Sequence, residues 1–373
     1  MKKKYGLALE GGGAKGSYQI GAYLGLKEMG FEFEAVAGTS IGAINGAFIA
    51  SGEVEKCVKI WTNQTLKEPV RTDSMSIMPE IKEDADFLTT LKELIKVMHK
   101  GTLPLTPLRE LVYNGLNEKK IRNSKMKFGL VTVNVTDKKG EELFSEDIPN
   151  GQLLDYIIAS AYLPVFKMEP LNGKYFLDGG FYNKIPYSMI ESLGLTPVII
   201  RVNPKDYRDG KFPKNSIIIE PREKVNSTLN FDSEKADKLI NLGFYDAIRV
   251  VKKLIGKEYY FESITENEAL TIFKKHLFKY FEKNKSEYKK SSIYRIFFEE
   301  YLPKAASDLS LDSNYTITDV LVAIVEEAAK KYKIERFAVH SLHDVTEQMN
   351  VDDFLTTSFT EAVLNKIKEY RNL

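Results

Sequence analysis

Short apolar or β-branched runs bounded by turn residues recur along the chain and predict six strands. They are Tyr5–Leu9, Ala35–Gly38, Phe128–Val135, Tyr175–Leu177, Pro197–Val202 and Ser216–Ile219. Helical spacing follows the first two strands, over Ser17–Met29 and Ile41–Ala50, and returns over Asp155–Tyr162 and Ser188–Leu193. Such alternation predicts an α/β fold of three layers, a mostly parallel sheet with helices on both faces. Between residues 66 and 105 the pattern breaks. There Phe87, Leu88, Leu91, Leu94, Ile95 and Met98 recur at helical spacing and predict one amphipathic packing helix. Beyond about Pro221 the pattern is helical, as in Leu239, Leu242, Ile248, Val251 and Ile255. A soft boundary there divides an α/β domain, 1–222, from an α-helical C-terminal region, 223–373.

Glycine sharpens the division. Of 24 glycines, 12 fall in the first 52 residues and none after Gly256, and the last 117 residues hold a single proline, Pro303. Glycine permits positive φ and close backbone approach, whereas its long absence favours helices. Within the C-terminal region, residues 269–290 interleave Leu270, Phe273, Leu277, Phe278, Tyr280 and Phe281 with Lys274, Lys275, Lys279, Lys283, Lys285, Lys289 and Lys290. Two readings fit this segment: a core-facing stripe with a solvated lysine face, or a helix lying on an anionic membrane.

Composition sets the outer bounds. The chain has 373 residues, 43% apolar and 28% charged, with a net charge of +1. That is a globular composition with no global field to attract nucleic acid or an anionic membrane. One cysteine, Cys57, leaves no internal disulfide and no Cys₄ zinc site. Cys57 and Trp61 share the helical pattern Glu53–Trp61 and read as buried packing residues. No apolar run approaches the ~20 residues that span a bilayer. A cytoplasmic protein, peripheral at membranes at most, is the expectation, and the Asn-x-Ser/Thr triplets then carry no glycosylation meaning.

Two glycine motifs stand at strand ends. Glu10-Gly11-Gly12-Gly13-Ala14-Lys15-Gly16 follows the first strand and opens a helix, so its N–H groups form an anion-binding concavity. Gly11-x-Gly13-x-x-Gly16 also fits a dinucleotide fingerprint, with Glu32 or Glu34 near the ribose position. It is not a Walker A loop, because Ser17 stands where lysine is needed. Gly38-Thr39-Ser40-Ile41-Gly42 is a nucleophile elbow between strand and helix. A strained turn lifts the Ser40 hydroxyl, and side chains at the flanking glycines would collide. The helix behind aims its positive end at the serine. A serine needs a base. His340 and His343 fit the hydrolase order but lie in the helical region. Asp178, in Leu177-Asp178-Gly179-Gly180, ends a strand before a sharp turn. In a parallel sheet it would share the strand-end edge with Ser40.

With these features in order, the chain resembles the patatin-like phospholipases over roughly residues 5–250. Thr106-Pro107-Leu108-Arg109, the run Ala159–Phe166, Asn183, Pro186 and Leu242–Ala247 are similar to family segments, while Lys15 stands where the family often has arginine. The resemblance implies a Ser-Asp dyad without histidine, cofactor or metal. Ser40 would attack an acyl ester and Asp178 would act as general base. The loop glycines Gly11, Gly12 and Gly13, with Ile41, would supply the oxyanion hole, and Lys15, Gly38, Gly42, Gly179 and Gly180 would support the site. Glycerolipid acyl esters are the implied substrates. Two alternatives stand beside it, a dinucleotide-dependent oxidoreductase and a non-catalytic lipid- or partner-binding module on the same scaffold.

Overall fold

The structure is a computed structural model that describes residues 3–62, 95–96, 103–204, 212–223, 225, 233–283 and 292–356. Of the amphipathic stripe at 87–98, all but Ile95 lies outside them, as does His99. The chain folds as two compact units, Met1–Val251 and Lys252–Leu373. The soft sequence boundary near 222 therefore falls inside the first unit.

The first unit is built on a seven-stranded sheet. Its strands are β1 (Tyr5–Leu9), β2 (Phe33–Thr39), β3 (Lys127–Asn134), β4 (Lys139–Phe144), β5 (Phe176–Asp178), β6 (Thr196–Ile200) and β7 (Ile217–Ile219). They run in the order β4-β3-β2-β1-β6-β7, with β5 also paired to β3. The pairs β3–β2, β2–β1, β1–β6 and β6–β7 are parallel. The helices are α1 (Gly16–Glu28), α2 (Ile41–Ala50), α3 (Val54–Thr62), α4 (Thr106–Gly115), α5 (Glu118–Arg122), α6 (Leu153–Ser160), α7 (Tyr187–Ser192) and α8 (Ser233–Lys252). Alternate residues of the central strands serve opposite layers. Ala8, Ala35, Ala37, Val131 and Ile199 share one cluster with Met189 and Ile190 of α7. Leu9 and Val36 face α2, where a Cβ added to Gly46 would lie 3.2 Å from Val36. The sheet is thus covered on both faces, as the alternation predicts.

Two strands depart from the sequence reading. β4 is absent from it because Lys139, Glu141 and Glu142 leave no apolar run; it is an edge strand joined to β3 by a tight turn with Lys138 at φ 54°. β5 is expected to run with the parallel strands, but it pairs antiparallel to β3. Its short length and the sharp turn after Asp178 give no directional signal in sequence.

The second unit is mainly helical, with one pair of two-residue strands, β8 (Tyr260–Phe261) and β9 (Val339–His340). Phe273, Leu277, Phe281, Phe297, Tyr301 and Phe354 are buried in its core. Leu270, Phe278 and Tyr280 pack against that cluster, while Lys275, Lys279 and Lys283 are exposed. The stripe at 269–283 is therefore core-facing. Of the two readings of this segment, burial of Phe273, Leu277 and Phe281 favours the core-facing one. Lys285, Lys289 and Lys290 lie outside the described residues. Among the described residues no helix is long and apolar enough to cross a membrane.

Candidate active site

Ser40 follows β2 and precedes α2 with φ 57° and ψ −124°. A non-glycine residue in that region is strained, and the strain marks the elbow. The flanking glycines are required by contact. A Cβ on Gly38 would lie 2.1 Å from the Gly42 oxygen, and one on Gly42 would lie 2.5 Å from the Leu9 oxygen. The Ser40 carbonyl accepts the N–H groups of Ala43 and Ile44 at 2.9 and 3.3 Å, so α2 starts at once behind the serine. Ile41 opens that helix, where the first N–H groups have no intrahelical partner.

Asp178 reaches Ser40 through the register of β3. β2 ends with Thr39 opposite Val131. The next β3 residue, Thr132, pairs with Asp178. Because β4 occupies the other edge of β3, β5 continues the edge that β2 leaves. The two strands meet end to end, and in this way an antiparallel strand brings its last residue to the end of a parallel one. Asp178 is buried, and its Oδ1 accepts the Gly180 N–H at 2.7 Å. Burial pushes its carboxyl up to about 6, while the Ser40 hydroxyl and the Gly180 N–H pull the other way. Oδ2 is buried and makes no full hydrogen bond with any described residue. The Ser40 interaction is therefore looser than a closed hydrogen bond.

The glycine loop lies against Ser40: a Cβ on Gly11 would be 3.4 Å from Ser40 Cβ. Gly13 has φ 58°, a left-handed conformation that favours glycine. The N–H of Gly11 donates to the Lys184 oxygen at 3.0 Å. Gly11 is thus corrected from oxyanion donor to structural anchor, since its only backbone donor is committed. The N–H groups of Gly12 and Gly13 donate to no described residue.

Polar groups hold this loop from behind. The buried Glu10 carboxylate accepts the N–H groups of Val202 and Asn203 and pairs with Lys184 at 3.2 Å. Lys15 donates to Asn203 Oδ1, and Asn203 Nδ2 donates to the Gly11 oxygen at 3.3 Å. Lys15 therefore supports the loop through Asn203. Half-burial lowers the Lys15 pKa, with Glu10 opposing that shift and Lys184 adding to it. Below the loop, Asn45 donates to the Gly16 oxygen at 2.9 Å and accepts from Trp61 Nε1 at 3.2 Å. Cys57 is buried beside it, 3.5 Å from Asn45 Oδ1.

Sequence reasoning missed several residues at the site. Ser160 is fully buried and accepts the Ser40 N–H at 3.0 Å. The Thr39 hydroxyl donates to the Asn183 oxygen at 2.8 Å, tying the elbow to the turn after Asp178. Gly179 fits because a Cβ there would strike the Val131 oxygen at 2.2 Å. The one signal that could have pointed to Ser160 is its place within Ala159–Phe166. His340 and His343 belong to the second unit, and among the described residues the first unit contains no histidine. Glu34, placed at ribose spacing, is instead a surface partner of Lys4 at 2.8 Å.

Comparison with known proteins points to one family. Residues 7–190 match the profile described as patatin-like phospholipase. Patatin-like phospholipase domain-containing protein 7 of Rattus norvegicus is 26% identical over 214 residues, covering 54% of this chain and 14% of that protein. The neuropathy target esterase sws of Drosophila melanogaster is 25% identical over 215 residues, covering 55% and 13%. The match thus spans about a seventh of these curated relatives. Among solved structures, VipD from Legionella pneumophila aligns with TM-score 0.41 and 13% identity over 98% of this chain and 90% of that one. The profile match runs from β1 through the elbow and the Asp178 turn to α7, and by it residues 7–190 of the chain belong to the patatin-like phospholipase family.

Proposed function

We propose that the first unit hydrolyses acyl esters of phospholipids or related glycerolipids through Ser40 and Asp178. The observation that carries this reading is the end-to-end meeting of β2 and β5 on β3, which sets a strained serine beside a buried carboxyl. The family and the relatives' names, an esterase among them, support the substrate class.

The chemistry is set by the groups present. Ser40 Oγ forms a bond to the acyl carbonyl carbon as its proton passes to Asp178 Oδ2. The carbonyl oxygen becomes an oxyanion, received by the N–H groups of Gly12 and Gly13 and by the start of α2 at Ile41. The ester C–O bond then breaks, and Asp178 returns the proton to the departing alcohol oxygen. In the second half, water attacks the acyl carbon as Asp178 takes its proton, the Ser40 Oγ–C bond breaks, and Asp178 returns the proton to Oγ as the carboxylic acid leaves. A carboxylate is a weak base against a serine hydroxyl. Burial narrows the gap by raising Asp178 to about 6, and the oxyanion donors and helix dipole must supply the rest.

The test is fluorophosphonate labelling beside hydrolysis of a chromogenic medium-chain ester. Wild type should label and turn over. Ser40→Ala should abolish labelling, and both Ser40→Ala and Asp178→Asn should lose turnover by about a thousandfold or more. Full turnover in either variant would sink the proposal. Wild type that neither labels nor turns over, with lipid vesicles present, would favour a binding role.

A further inference from the structure

We infer that the Ser160–Tyr162 turn sets the spacing of nucleophile and base, with Ser160 as a positioning residue for Ser40. The inference rests on the proposed Ser40–Asp178 dyad. Its basis is a pair of hydrogen bonds from one turn. Ser160 ends α6, is fully buried, and accepts the Ser40 N–H on its Oγ at 3.0 Å. Two residues later the Tyr162 carbonyl accepts the Asp178 N–H at 2.8 Å. The backbones of both reacting residues are thus tied to two positions of one three-residue turn.

The need for such a tie comes from the topology. β2 and β5 stop opposite adjacent residues of β3, Val131 and Thr132. Ser40 lies beyond the last paired residue of its strand, in a strained conformation that needs outside support. A serine side chain supplies an acceptor at that point without adding charge beside the Asp178 carboxylate.

The turn is itself anchored. The Tyr162 ring is buried, and its hydroxyl donates to the Lys167 oxygen at 2.6 Å and accepts the Glu169 N–H at 2.8 Å. A single side chain therefore joins the turn to the chain at Lys167–Glu169. A second consequence concerns the oxyanion. With its N–H given to Ser160, Ser40 has no backbone donor left for the developing charge, so that task falls to Gly12, Gly13 and the start of α2.

The test compares wild type with Ser160→Ala, Ser160→Thr and Tyr162→Phe as full-length proteins. It measures the fluorophosphonate labelling rate, kcat, KM and the pH profile. Loss of one buried hydrogen-bond partner converts to about 10- to 100-fold in rate. Ser160→Ala should lower labelling rate and kcat together by that factor, with KM within about twofold and the pH midpoint unmoved. Ser160→Thr, which keeps the acceptor, should recover most of the rate. Tyr162→Phe should lower kcat without moving KM. Wild-type labelling by Ser160→Ala, or a loss that appears in KM alone, overturns the inference and leaves the dyad standing. Failure of wild type itself to label overturns the Ser40 reading and this inference with it.

Discussion

The chemistry of Asp178 turns on its burial. Its carboxyl sits at about 6 because removal from water disfavours the charged form more than Ser40 and Gly180 favour it. The ester-hydrolysis rate should therefore climb with pH, with a midpoint near 6, and level off above it. A midpoint near 4 would mean a solvated carboxyl and a different base. Stability moves in the opposite sense. A group whose folded pKa is raised contributes stability that is present at low pH and is lost as pH rises through the folded value. Asp178→Asn stays neutral, so its melting temperature relative to wild type should increase from pH 4 to pH 7. Each kcal/mol corresponds to about 2–4 °C in a protein of this kind. A constant difference would show that Asp178 is not desolvated. The places of Ser40 and Asp178 at strand ends were legible because elbow and turn demand particular residue types at fixed spacing. The role of Ser160 was not, because accepting one distant N–H leaves no local pattern, and the Gly11 assignment erred because only the fold shows its N–H already in use.

Among the elements, α1 backs the glycine loop, since it starts at Gly16 directly behind it. α8 holds α1 at backbone contact. A Cβ on Gly21 would lie 1.9 Å from the Ile240 oxygen, and one on Gly243 would lie 2.1 Å from the Tyr18 oxygen. Across this crossing the Tyr18 hydroxyl donates to Asp246 at 2.9 Å, and Asp246 pairs with Arg249 at 2.6 Å, all three buried. Removing one side of a buried ion pair leaves the other charge buried without that counter-charge. Asp246→Ala should therefore lower unfolding stability by about 3–5 kcal/mol, and Tyr18→Phe, which leaves the pair intact, by about 1 kcal/mol. Denaturant titration of the two variants would reverse this reading if their losses were equal. The parallel strands and the first helices were readable from apolar period alone. β4 and the direction of β5 were not, because an exposed edge strand lacks an apolar run and a three-residue strand carries no directional signal.

At the scale of the whole molecule, the glycine distribution separates turn-rich from helical sequence, but the compact unit does not end where the pattern changes. α8 is helical and glycine-poor, like the residues C-terminal to it, yet it belongs to the first unit. Composition cannot see this, because membership depends on what a helix packs against. The buried Tyr18 of α1 has its cover and its hydroxyl partner on α8. A fragment ending at 222 would leave that face of α1 open to water and loosen the helix that supports the glycine loop. We expect a fragment of residues 1–251 to unfold in one cooperative transition and to be labelled by a fluorophosphonate. The fragment 1–222 should show neither behaviour. If 1–222 folded and labelled as well as 1–251, the Tyr18–Asp246 contact would be dispensable and the catalytic unit would close at the earlier boundary. If 1–251 failed to fold while the full chain labelled, the first unit would depend on residues 252–373, and the helical region would be part of the catalytic fold.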